Sequence, residues 1–437
     1  MHADKGGDEA VARSAMAKAS WRLLPLIALG YLIAYMDRSN ISFASLQMNV
    51  DLGFSAAVYG LGAGIFFVGY SLLEIPSNLL CARFGPRRWI ARIMLTWGLI
   101  SAGMMFVRTP GQFYTMRFLL GVAEAGFFPG AMLYLSAWFP TAWRGRAVSR
   151  FYIAAPVGTI LMGALAGQLL GLGGLLHLAG WQWLFLAEGL PAVVLAVALL
   201  RLLPDSPDAA PWLTTDERAW LSRTLSADVE GSGASHRGLV GALLDPVVLG
   251  IGAAVALSFA CTNAIVFSGP KLLSDATGWS VTNVGFLTAF GGVTTTAVML
   301  FVGWHSDRRK ERYLHVAGMT ALAAASAAAM ALSSGPIGVV VAYLGFVTAS
   351  LSVGMLGILI LADGAHPEAR AVSFAALNTI GQVGAFIGPW LWGLAADSTG
   401  SFQLGLDVVP FVLAAAVAIV MAMRHGAVNV AAVSVSA

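Results

Sequence analysis

The sequence predicts an all-α membrane protein with twelve transmembrane helices in two six-helix halves. Three observations carry the prediction. The 437 residues are 58% hydrophobic and 11% charged, whereas roughly a quarter of an ordinary soluble chain is charged. The apolar residues gather into twelve stretches near the ~20-residue length that crosses a bilayer. A polar insert divides the twelve into six and six.

The first six stretches fall at about 22–44, 57–80, 89–107, 111–138, 148–171 and 182–203. The second six fall at about 243–268, 281–304, 314–333, 337–361, 370–396 and 405–424. The expected organisation is a cytoplasmic tail over 1–21, a bundle over 22–203, a cytoplasmic linker over 204–242, a second bundle over 243–424 and a cytoplasmic tail over 425–437. In the linker, Pro204, Pro207 and Pro211 stop the sixth helix, and Thr214 with Glu217 fits a capping box opening a short amphipathic helix. Gly231–Gly233 then reads as flexible linker. The N-terminus is polar, of mixed charge, and lacks a signal-peptide pattern.

Lys and Arg set the orientation, because cytoplasmic loops carry an excess of them. Arg83, Arg87 and Arg88, then Arg144, Arg146 and Arg150, the linker, Arg308, Arg309, Lys310 and Arg312, and Arg370 all lie in alternate loops on the side of both termini. Outside the membrane, the opposite side keeps only Arg108 and Lys271. Both termini are expected in the cytoplasm, in a multi-pass protein of the cell's inner (plasma) membrane. The net charge of +3 gives no reason to expect a nucleic-acid partner. Cys81 and Cys261 provide neither a disulfide framework nor metal-ligand spacing. The seven His are scattered, no cluster has triad or metal spacing, and no P-loop is present. Neither an enzyme nor an ATP-driven pump is expected, and no cofactor or metal.

Charged residues stand inside the apolar stretches, among them Asp37 and Arg38 in the first and Arg117 and Glu124 in the fourth. A charge at the bilayer centre costs at least ~3 kcal/mol on insertion scales, and survives where it pairs or faces a water-filled cavity on an ion or substrate path. Arg117 and Glu124 are two helical turns apart, nearly on one face and ~10 Å apart along the axis. They can share a cavity without a tight ion pair. Asp37 and Arg38 are adjacent and diverge by ~100°, so each needs a partner elsewhere. An arginine fork suits a carboxylate, and an acid beside it is placed to load and release a proton. With both acids ionised the four charges cancel; with both protonated they sum to +2, so anion and proton binding favour each other. The alternative for each residue is a buried network that braces the helices. Glu74 reads as a packing or gating residue and Glu188 as structural.

The two halves echo each other: ARFGPRRW follows the second stretch and GWHSDRRKER the eighth. Parallel six-helix repeats with a midplane site are the plan of one large transporter class. Here the chain resembles the major facilitator superfamily along essentially its whole length. Gly303, Asp307 and Arg308 match that superfamily's G-x-x-x-D-R loop pattern, while Ala82 stands where the N-terminal copy would have its Asp. AYMDRSNISFA, GIFFVGYSLLEIPSNLL, MRFLLGVAEAGFFPG and GWQWLFLAEGLPA together resemble the anion:cation symporter family, in particular bacterial tartrate-, phthalate-, nicotinate- and sugar-acid-type permeases. That resemblance implies proton sites at Asp37 and Glu124 and a carboxylate held by Arg38 and Arg117. It places Tyr35, Tyr70 and Asn378 near substrate and gives Asp307 and Arg308 a gating role.

The expected function is a proton-coupled secondary transporter importing a small organic carboxylate, such as a hydroxy acid like tartrate, a sugar acid or an aromatic carboxylate. Its partners would be that anion, protons and the lipid bilayer, with the chain a monomer. The alternatives are a proton-coupled antiporter exporting a small molecule, and a non-transporting receptor-like module on the same fold.

Overall fold

A computed structural model describes residues 5–230, 245–364 and 370–436. Among these the chain is helical almost throughout and contains no strand. The first half comprises α1 (Lys5–Leu52), α2 (Ala56–Phe84), α3 (Pro86–Gly103), α4 (Pro110–Glu124), α5 (Phe127–Ser136), α6 (Thr141–Tyr152), α7 (Ala154–Leu170) and α8 (Gly180–Leu202). After α9 (Thr215–Glu230), the second half comprises α10 (Pro246–Thr277), α11 (Val281–Arg309), α12 (Tyr313–Leu332), α13 (Pro336–Gly364), α14 (Arg370–Thr399) and α15 (Gln403–Ser436). By length and composition, 11 helical spans among the described residues can cross a membrane, with α4 and α5 forming one span and α6 and α7 another. The twelfth is α14, 30 residues long and packed along α2 and α10. α1 starts at Lys5, so from there the segment expected as a tail belongs to the first helix. The linker's second part, including Gly231–Gly233, lies outside the described residues.

The fourth span bends for a local reason. Pro129 has no N–H with which to bond the carbonyl of Ala125 four residues earlier. Gly126 turns the chain at φ 88°, a backbone region where only glycine is unstrained. The orphaned Ala125 carbonyl accepts from the Ser77 hydroxyl on α2 at 2.7 Å. Glu124 is therefore the last residue of α4, at a break in the helix.

Each half has its own apolar core. The halves meet where glycines let backbones touch: Gly60 and Gly64 of α2 face the carbonyls of Pro389 and Phe386 on α14, and Gly163 of α7 faces Gly285 of α11. At that end Asp397 of α14 caps α2, accepting from the N–H groups of Ala56 at 2.9 Å and Ala57 at 3.0 Å. Tyr59 donates to the carbonyl of Phe267 at 2.9 Å.

α9 docks on the first half at the opposite end. Its capping box forms as expected: Glu217 accepts from the N–H of Thr214 at 2.8 Å, and Thr214 Oγ1 accepts from the N–H of Glu217 at 3.3 Å. Glu217 also takes Ser14 at 2.7 Å and Lys18 at 2.8 Å from α1. Asp228 accepts from the N–H and hydroxyl of Thr141 at the start of α6.

Candidate functional site

Depth along three helices builds the site. Arg38 lies fourteen residues before the end of α1, Tyr70 fourteen after the start of α2, and Glu124 fourteen after the start of α4. At ~1.5 Å per residue each is ~21 Å from the end where the halves are sealed. Their side chains meet there. Arg38 Nε lies 2.7 Å and Nη2 2.6 Å from Glu124 Oε1. Glu124 is buried, whereas the Arg38 side chain keeps 30% of its surface exposed. The guanidinium is ringed by the faces of Tyr70 at 5.1 Å, Tyr35 at 5.6 Å and Phe66 at 5.8 Å, a cage suited to a cation.

Arg117 stands behind this cage. It is fully buried, and Nε and Nη2 reach the carbonyls of Gly62 at 3.2 Å and Ala63 at 3.4 Å on α2. It also lies over Phe66, 5.0 Å from the ring centre, and among the described residues Nη1 has no hydrogen-bond partner. The two arginines thus share Phe66, and Glu124 takes Arg38 while Arg117 ties α4 to α2.

Asp37 turns the other way, as adjacency to Arg38 requires. It is buried and accepts from Ser101 Oγ and, at 3.1 Å, from Trp97 Nε1, both on α3. Asn40 Nδ2 reaches Asp37 Oδ1 at 3.4 Å and Glu188 Oε2 on α8, so one amide joins two buried carboxyls. Sequence reading missed this set; the polar Asn40 one turn after Asp37 in an apolar stretch was the signal for it.

Asn378 comes to the site's edge from the other half. Its Nδ2 donates to both oxygens of Glu74, at 3.1 and 2.9 Å, which joins α14 to α2. Asp307 and Arg308 lie away from these residues, at the α9 end. Asp307 pairs with Arg312 at 2.5 Å within its own turn, and Arg308 lies over Trp304 at 5.7 Å. Glu311 in this turn reaches another helix, pairing with Arg424 of α15 at 3.1 Å.

The model of the Major Facilitator Superfamily matches residues 27–389. A protein of Agrobacterium vitis named "Putative tartrate transporter" is 42% identical across 90% of this chain and 88% of its own. A "Quinolone resistance transporter" of Acinetobacter baumannii is 37% identical across 90% of this chain and 91% of its own. Among solved structures, a bacterial homolog of the human lysosomal transporter Spinster, inward-facing and unoccupied, has a TM-score of 0.74 over 92% of this chain and 94% of its own. At 16% identity that likeness shows the fold alone.

Proposed function

The chain belongs to the Major Facilitator Superfamily, and from that premise we propose that it is a proton-coupled secondary transporter importing a small organic carboxylate by alternating access. The observation that carries the reading is the pair of Arg38 with Glu124 at membrane depth. Without substrate, Glu124 neutralises Arg38. A substrate carboxylate that takes the guanidinium displaces Glu124 into a buried position beside another anion, where a charge is costly. A proton on Glu124 removes that cost. Anion and proton therefore load together, and each raises the affinity for the other. Asp37 is the second proton site, where neutralisation removes one of two like charges bridged by Asn40.

Arg38 is the direct anion ligand and Tyr35 and Tyr70 line its pocket. Arg117 supports it through Phe66 and adds positive potential from behind. Asn378, with Glu74, senses occupancy from the second half, and Asp307 and Arg308 act in gating at the α9 end. The similarity to a relative named for tartrate favours a hydroxy acid, with sugar acids and aromatic carboxylates as neighbours in chemistry. In this reading the protein sits in the inner membrane and acts as a monomer, and the Lys and Arg distribution supports a cytoplasmic α9 end and cytoplasmic termini.

The test is uptake by proteoliposomes under an imposed inward proton gradient, offering labelled tartrate, gluconate, phthalate and nicotinate. One of them should accumulate, and a protonophore should abolish the accumulation. Accumulation of none, or uptake indifferent to the gradient, overturns the reading. A second reading, proton-coupled export, is favoured by the relative named for quinolone resistance. It predicts that a loaded quinolone, itself an aromatic carboxylate, leaves the same vesicles as protons enter.

A further inference from the structure

The face of α1 that carries the site continues toward the α9 end. Trp21, Ala28 and Tyr35 recur every seven residues, so they lie on one face with ~20° of drift per step. Tyr35 covers Arg38. Trp21 and Ala28 line a groove of about 630 Å³ between the first part of α1 and α6. Leu24 and Phe139 supply an apolar floor, and Arg13, Arg146 and Arg150 the charge; among the described residues no acidic side chain lines it. Arg13 has Glu9 at 3.7 Å, an exposed pair of the kind that contributes little. Arg146 lies 5.6 Å from the ring centre of Trp143, and neither Arg146 nor Arg150 has a carboxylate partner among the described residues.

Beyond Ala28, α1 carries Tyr31 at the centre of a cluster of rings. Ala28 is three residues before Tyr31, and Arg150 directly precedes Phe151. Tyr31 stacks on Phe151 at 4.4 Å and touches Tyr35 at 5.0 Å and Phe128 at 5.7 Å. On the face shared with Trp21 and Ala28, Tyr35 is ~21 Å of helix from Trp21 and covers Arg38.

The deep site has a weakness that the groove offsets. Glu124 cancels the charge of Arg38, so that pair draws an anion only weakly from a distance. Unpaired guanidinium groups in a partly enclosed groove focus a positive potential and raise the local concentration of anions. We propose that this groove is a second anion site, where Arg146 and Arg150 hold the transported carboxylate between the α9-side solution and Arg38. The proposal rests on the transport reading above.

The test uses the full chain in right-side-out and everted membrane vesicles, with labelled tartrate and labelled nicotinate as probes in exchange assays. R146Q/R150Q should raise KM about tenfold for anion offered from the α9 side, hold KM from the other side within twofold and keep the maximal rate. R146K/R150K should restore the wild-type KM, since charge rather than fork geometry attracts at range. High salt on the α9 side should reproduce the defect in the unaltered protein, which removes any dependence on the variants' folding. Equal KM on the two sides in R146Q/R150Q, or no change on either, overturns the site. An anionic lipid headgroup offers the same chemistry as a carboxylate. Repeating the assay in proteoliposomes of zwitterionic lipid separates the two, because the sided defect must persist there; its disappearance gives the groove to lipid and overturns the proposal. Should neither probe exchange, labelled gluconate and phthalate replace them; wild-type vesicles that exchange none of the four defeat the transport reading and this site with it, whereas exchange without a sided defect defeats this site alone.

Discussion

Arg38 and Glu124 meet through a single oxygen: Nε and Nη2 both reach Oε1, and Oε2 has no hydrogen-bond partner. A guanidinium and a carboxylate bind best as two parallel bonds to two oxygens. The resident pair is thus left short of its best geometry, and a free carboxylate that presents both oxygens to Arg38 competes well for it. Glu124→Gln keeps an acceptor for Arg38 but cannot carry the proton. Proton-driven uptake should fall at least about tenfold, while exchange of anion for anion survives, since exchange needs no net proton movement. Proteoliposomes measure the two separately; full pH-driven accumulation in the variant removes Glu124 from coupling.

The two arginines should fail in different ways. Arg38→Lys keeps charge and loses the fork, so anion affinity should drop by about 1–3 kcal/mol, roughly fivefold to 150-fold, with thermal stability nearly unchanged. Arg117→Lys loses carbonyl bonds that tie α4 to α2 in a dry interior. It should cost about 1–2 kcal/mol of stability, read as an earlier melting midpoint, with a smaller change in affinity. Calorimetric binding and thermal unfolding of both variants decide; the reverse pattern would show that Arg117, not Arg38, holds the anion.

Asp397 seals one end by capping α2 from α14. Asp397→Ala should cost about 1 kcal/mol, the usual cost of a lost cap, and all of it falls on states in which that end is closed. The open population should rise about fivefold. Ser268→Cys, in the chain segment beside Phe267 at this seal, reports it through its rate of thiol labelling. An unchanged rate in the Asp397→Ala background would mean that the glycine contacts and the Tyr59–Phe267 bond keep the end closed without the cap.

Sequence pattern alone located the helices because each span needs its own run of apolar residues, and the Thr214–Glu217 box because a cap is local. It found the depth of Asp37, Arg38, Arg117 and Glu124, since a charge interrupts such a run. Partners were harder. Adjacency forced Asp37 and Arg38 apart, but which helix each would meet depends on how α1 is rotated in the bundle. Seven-residue spacing set Arg117 and Glu124 on one face but could not say that Arg117 would be taken by the carbonyls of Gly62 and Ala63 on α2. The Asn378–Glu74 bond joins residues from different halves, and no local pattern encodes it.

The docking of α9 should depend on pH through Glu217. Burial would raise this carboxyl, but the bonds from Lys18, Ser14 and the N–H of Thr214, with the charge of Lys18, outweigh it and hold the pKa at about 2, below the ordinary 4.5. A group depressed on folding stabilises fully above its unfolded pKa, and the contribution is lost as pH falls through the folded value. Discounted for solvent screening at the partly exposed Lys18, the term that holds the docked helix at neutral pH should be on the order of 2 kcal/mol, and it fades between pH 4.5 and about 2. Glu217→Gln should remove most of it at every pH. Hydrogen exchange of the α9 amides, corrected for intrinsic rates, is the measurement. At pH 7 the variant should exchange about thirtyfold faster than the wild type, the factor that 2 kcal/mol implies, and wild-type protection should decline on acidification below pH 4.5. Equal protection in both proteins at pH 7 would mean that Asp228 and the apolar face of α9 suffice to hold it against α1 and α6.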